Sequence, residues 1–157
     1  MTCLRAIALT TTVSVLLSTL VLAQDQEKKI KRGDLPPAVE KAVVEQSQGA
    51  TIRGFSQEKE NGQTFYEAEL MVNGHSKDVL MDLDGAGVEV EEQVPIASLS
   101  PMVRDGLQEK AGSGKIVKVE SLTKKGKLVA YEAQILKNGK KSEVQVGPDG
   151  KPLNHEE

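Results

Sequence analysis

At 157 residues the chain is long enough for one ordinary domain or two small ones. It carries 20 Lys and Arg against 23 Asp and Glu, and aromatic residues make up only 3%. An acidic chain with so few rings has neither the basic stripe nor the stacking platform that nucleic acids require, so nucleic acid is excluded as a partner.

Residues 1–23 read as a secretory signal peptide. Arg5 supplies the positive start, Ala6 to Leu22 is apolar with interspersed Thr and Ser, and Val21-Leu22-Ala23 offers small residues for cleavage after Ala23. An uncleaved membrane anchor fits less well, because hydroxyls dilute the apolar stretch. Cleavage sends the mature chain to the periplasm or outside, with no membrane association afterwards. Cys3 leaves with the leader, so the mature chain has no disulfide and no reactive thiol. Residues 24–34 are polar and charged and read as a flexible lead-in.

The first helix opens at Asp34-Leu35-Pro36-Pro37, carries Val39, Ala42 and Val43 on one stripe, and ends by Gly49. A strand follows at about 51–58. Its apolar Ile52 and Phe55 are three apart, which breaks strict alternation and requires either a β-bulge or a late helix-to-strand transition. Asn61-Gly62 marks a turn. Residues 66–85 then read strand, Asn-Gly turn, strand, Asp-Gly turn, and Val88–Val94 is a candidate extension of the sheet.

The same order returns. Ser100 caps a second helix, Pro101 takes its first position, Met102, Val103, Gly106 and Leu107 form its stripe, and Gly112-Ser113-Gly114 ends it. A strand at about 115–123, a Lys125-Gly126 turn and the hairpin 131–150 complete the chain. Residues 66–85 and 131–150 share eight identities in twenty aligned positions, including Tyr66/Tyr131, Asn73-Gly74/Asn138-Gly139 and Asp84-Gly85/Asp149-Gly150. The predicted fold class is α+β, with two tandem repeats. Each is a short helix packed on a three- to four-stranded antiparallel meander, over residues 35–91 and 95–154.

The Asn-Gly turns set the hairpin registers. In the first, Val72 pairs with His75, Leu70 with Lys77, Ala68 with Val79 and Tyr66 with Met81. In the second, Ile135 pairs with Ser142, Ala133 with Val144 and Tyr131 with Val146. These apolar pairs point to the helices. The opposite face pairs Glu67 with Leu80, Glu69 with Asp78 and Phe65 with Asp82.

The Leu-Pro helix opening, the Tyr-Glu-Ala strands, the Asn-Gly turns and the Val-x-x-x-x-Asp-Gly endings resemble PepSY and PepSY-like domains. These are related in architecture to secreted beta-lactamase-inhibitor-like proteins. The resemblance spans Leu35–Glu89 and Leu99–Asn154. It implies an exported chain with helices on an antiparallel sheet, and an inhibitory role like that ascribed to PepSY segments in metallopeptidase propeptides.

Catalytic chemistry finds little to use. His75 sits beside a turn and His155 near the C-terminus, in no triad or metal spacing. Ser113 lies in a Gly-rich run that fails the phosphate-loop pattern at Glu109 and Ile116. Neither an enzyme nor a cofactor is expected. Asp82-x-Asp84-Gly85 with Glu91 imitates part of a calcium loop, but Leu80 stands at the first ligand position and the second hairpin has Gly147-Pro148-Asp149-Gly150 there. No metal is assigned, and a calcium- or metal-responsive module is kept as the alternative. The outward face of the first hairpin is the candidate binding site: Phe65, Glu67, Glu69, Met71, Asp78, Leu80 and Asp82. It reads either as a solvated face or as a docking surface for a basic or amphipathic protein or peptide, a peptidase among them.

Overall fold

The computed structural model describes residues 27–60, 62–155 and 157. The signal-peptide assignment therefore lies outside the described residues, as does Asn61 of the first predicted turn. No described helix is long and apolar enough to cross a membrane.

Among the described residues eight strands form one antiparallel sheet in strict sequence order. They are β1 (Lys28–Ile30), β2 (Thr51–Glu60), β3 (Gln63–Val72), β4 (His75–Met81), β5 (Gly87–Gln93), β6 (Lys115–Lys124), β7 (Lys127–Lys137) and β8 (Lys140–Val146). This corrects the expectation of two repeats, each a helix on its own meander. The strand β5 pairs with β4 through Lys77–Met81 on one side and with β6 through Glu120–Lys124 on the other. It thereby satisfies the backbone groups that two separate meanders would leave unpaired at their facing edges. Within the predicted lead-in, Lys28–Ile30 is a strand paired with Phe55–Gln57.

Two helices, α1 (Pro37–Gln46) and α2 (Pro101–Ala111), cover a single face. Val79 lies opposite Val90, Val90 opposite Thr123, and Thr123 shares its strand parity with Val119. The core residues under α1 and those under α2 thus point the same way. Val39 and Val43 of α1 pack with Phe55, Tyr66, Leu70, Val79 and Met81, while Val103 and Leu107 of α2 pack with Val119, Ala133 and Val146. The Ser100 hydroxyl accepts the Val103 N–H at 3.3 Å and caps α2.

Both hairpin registers follow the Asn-Gly turns as predicted. Asn73 and Asn138 have φ of 50° and 52°, the left-handed conformation that this turn demands. A bulge lies between Ile52 and Gly54 in β2 and another between Ile116 and Lys118 in β6. This resolves the two alternatives for the broken alternation in favour of a bulge.

The Asp-Gly endings have a packing reason. A Cβ on Gly85 would stand 2.5 Å from the Ala38 carbonyl oxygen, and one on Gly150 would stand 2.2 Å from that of Met102. Each turn sits directly on a helix, so only glycine fits.

The helix-free face as candidate functional site

Alternation along the strands sends a second set of side chains to the bare face. Glu67 lies beside Leu80, Leu80 beside Glu89 and Glu89 beside Lys124. One row further along, Glu69 lies beside Asp78, Asp78 beside Glu91 and Glu91 beside Leu122. The middle of the sheet therefore carries carboxylates on four successive strands, counting Glu58 on β2.

These side chains surround a pit of about 150 Å³ lined by Glu58, Glu67, Asp78, Leu80, Glu89 and Glu91. Burial raises the Glu91 pKa to about 8, with Glu132, Glu120, Glu89 and Asp78 adding repulsion. Burial and the neighbouring Glu67 raise Glu58 to about 7. Burial, then Glu67 and Glu120, raise Asp78 to about 6. At neutral pH the pit thus holds a mixture of charged and protonated carboxyls that a cation would relieve.

One internal cation stands at its edge. The Lys118 ammonium lies 2.7 Å from Glu120, whose carboxylate also accepts the Ser76 hydroxyl at 3.0 Å. Burial works against that ammonium, but Glu120, Asp78 and Glu91 outweigh it and hold its pKa above the ordinary value. Asp78, Glu91 and Glu120 bring carboxylate oxygens within 4.8 Å of one another. Three oxygens so placed suit a hard cation, yet Lys118 already supplies positive charge there.

Beside the pit opens a groove of about 700 Å³, lined by the apolar Phe65, Leu80, Leu83 and Val88 together with Asp82, Glu89 and the cations Lys124 and Lys125. Leu83 is 58% exposed. The C-terminal residues cross the same face farther along. The Glu157 N–H donates to the Gln145 side chain at 2.8 Å, and the Glu157 carboxylate lies 3.7 Å from the Lys124 ammonium. Leu122 and Ala130, between these anchor points, are 1% and 0% exposed. The pit and groove lie on a part of the face that stays open beside this crossing.

The predicted site residues divide accordingly. Glu67, Asp78 and Leu80 line the pit, and Phe65, Leu80 and Asp82 line the groove. Glu69 does face Asp78, but the Lys29 ammonium of β1 bonds to it. Its side chain lies against Gly54, away from the pit. Met71, beside Thr51 and Ser76 near the end of the hairpin, lines neither cavity. Asp82 also has a structural task, since its side chain accepts the N–H groups of Asp84 and Ala86 at 3.0 and 2.9 Å. It caps the turn that had imitated a calcium loop. Sequence reasoning missed Glu58, Glu89 and Lys118, and it named Glu91 only as a position of the imitated calcium loop, not of the binding face. Glu58 was within reach, because a tight turn around Gly62 puts it opposite Phe65. Glu91 required knowing that β5 pairs with β4.

No family model matches the chain, and no curated protein matches it. Solved structures do. A protein of Bacteroides eggerthii described as periplasmic superposes with a TM-score of 0.62 at 17% identity, over 76% of this chain and 86% of that one. A DUF2874 family protein of Bacteroides ovatus gives 0.59 at 19% identity, over 78% and 87%. A BLIP-like protein of Bacteroides fragilis gives 0.55 at 23% identity, over 78% and 86%. At these identities the likeness is one of fold, a BLIP-like sheet with helices on one face.

Proposed function

We propose that the protein is an exported, non-enzymatic binding module whose helix-free face takes a basic, amphipathic segment of a protein or peptide partner. The observation that carries this is the ring of carboxylates around one open pit, Glu58, Glu67, Asp78, Glu89 and Glu91, next to an apolar groove. A Lys or Arg side chain in the pit relieves the repulsion that raises Glu91, Glu58 and Asp78. An adjacent apolar side chain covers Phe65, Leu80 and Leu83. A partner so held gains both electrostatic steering and apolar burial. The signal sequence and the periplasmic description of a fold neighbour support export. The partner class in this reading is a secreted peptidase or another envelope protein that the module regulates or inhibits.

Calorimetry with a short Lys-Leu peptide and its Glu-Leu counterpart tests the reading. The Lys peptide should bind and weaken with salt, because distant charges are screened. Asp78→Asn with Glu91→Gln should reduce its affinity about tenfold or more, the loss of one or two charge-assisted contacts. Equal binding of both peptides, or an unaffected double variant, refutes it.

A calcium- or metal-responsive module is the second reading, favoured by the converging oxygens of Asp78, Glu91 and Glu120. Its obstacle is Lys118, which a metal must displace. Millimolar Ca²⁺ separates the two readings. A melting temperature that climbs with Ca²⁺ excess, and no longer does so in Glu91→Gln, supports the metal. An unchanged one supports the peptide-binding module.

A further inference from the structure

Among the described residues the sheet has one long open edge, and its chemistry selects a partner. In the first hairpin the outer side of β4 is covered by β5, beginning with Met81 opposite Gly87. In the second, Val146 bridges Pro152 in the corresponding way, but the chain then leaves the edge and crosses the bare face to Gln145 and Lys124. The last strand β8 therefore ends the sheet with Lys140, Lys141, Ser142 and Glu143 exposed. The opposite end of the sheet is blunted by the three-residue β1.

The two-residue turn closes on the Lys137–Lys140 pair, so the backbone groups of Lys140, Ser142 and Val144 point to β7. Those of Lys141 and Glu143 point outward. Gly147, of the same parity, shows the direction: its N–H donates away from β7, to the Lys151 carbonyl at 2.8 Å. Lys141 and Glu143 also place their side chains on the same face of the sheet, two residues apart.

We infer that β8 pairs antiparallel with β8 of a second copy of this chain, with Ser142 on the two-fold axis. In that register the outward backbone groups of Lys141 meet those of Glu143 from the partner, and the reverse pair forms across the axis. Each Lys141 then lies beside a Glu143, giving two opposite-charge pairs. Moving the axis to Glu143 sets the two glutamates against each other, so charge selects one alignment. The contact is isologous and closed. It joins two eight-stranded sheets, and β1 blunts the remaining ends against further growth.

Sedimentation equilibrium of the mature chain from micromolar to millimolar concentration, at low ionic strength, tests this. The wild type should show a monomer–dimer equilibrium. Lys141→Glu and Glu143→Lys should each weaken self-association about tenfold, because opposite pairs become like pairs. Mixing the two variants should restore association, since both pairs across the axis of the mixed dimer again join a carboxylate to an ammonium. Both positions are exposed, and coincident melting curves will establish that each variant is folded. A wild type that stays monomeric at millimolar concentration overturns the inference. So do single variants that associate as well as wild type, or a mixture that fails to recover.

Discussion

Asp78 and Glu91 stand directly opposite each other on β4 and β5, and their carboxylate oxygens approach within 4.8 Å. Like charges face each other across a strand pair there, which is destabilising wherever both are ionised. The fold tolerates this because protonation, and the nearby Lys118 ammonium, reduce the net repulsion.

A stability profile against pH follows. The folded pKa values of Glu91, Glu58 and Asp78 stand at about 8, 7 and 6, and their unfolded values at about 4. Between these limits the folded chain binds more protons than the unfolded one, so stability falls as pH rises. Melting temperature should be higher at pH 5 than at pH 8. Glu91→Gln should raise it at pH 8 and flatten the dependence. A melting temperature that increases from pH 5 to pH 8 would contradict this account of the pit.

Lys118 should matter more than an ordinary surface lysine. Lys118→Met leaves the Glu120 carboxyl, only 6% exposed, with Ser76 alone. The expected loss is about 1–3 kcal/mol, the cost of removing a partner from a buried polar group. Repulsion among Asp78, Glu91 and Glu120 then goes unrelieved, so the loss should be greater at pH 8 than at pH 5. Urea unfolding at the two pH values measures it, and a variant as stable as wild type at both is the contrary outcome.

The two tyrosines of the hairpins should differ in worth. Tyr66 is 8% exposed and belongs to the core under α1, whereas Tyr131 only borders the core under α2. Tyr66→Ala should cost about 3–5 kcal/mol, as for other buried rings, and Tyr131→Ala distinctly less. Chemical denaturation of the pair decides, and equal losses would mean that burial is not what separates them.

Helix–turn contact offers a steric test. A Cβ on Gly106 of α2 would meet the Gly150 carbonyl oxygen at 2.0 Å. Gly106→Ala gains helix propensity yet should destabilise by about 1–3 kcal/mol, the usual cost of overpacking. Gly87→Ala, with open space around it, is the control. If Gly106→Ala is stabilising, α2 can slide from the turn.

Much of the local structure could be read from the residues. Asn73-Gly74 and Asn138-Gly139 determine their hairpin registers because a two-residue loop with positive φ admits one pairing. Ser100-Pro101 and Pro36-Pro37 start the helices by the same local logic. Once the registers are known, alternation puts Glu67, Asp78 and Leu80 on one face. These facts depend only on backbone sterics within a few residues.

Tertiary structure decided the rest. Val88–Val94 reads as an extension of the first sheet. Nothing in it says that it also pairs with β6 and turns two hairpins into one sheet, because strand partners far apart in the chain are chosen by the whole set of unpaired edges. That pairing carries Glu91 to Asp78 and Glu120, and it is what makes a pit of an acidic face. Likewise Glu69 looked as available as Glu67, until β1 brought Lys29 beside it. Charge in the sequence specifies which groups can repel or attract; only the long-range pairing of strands specifies which of them meet.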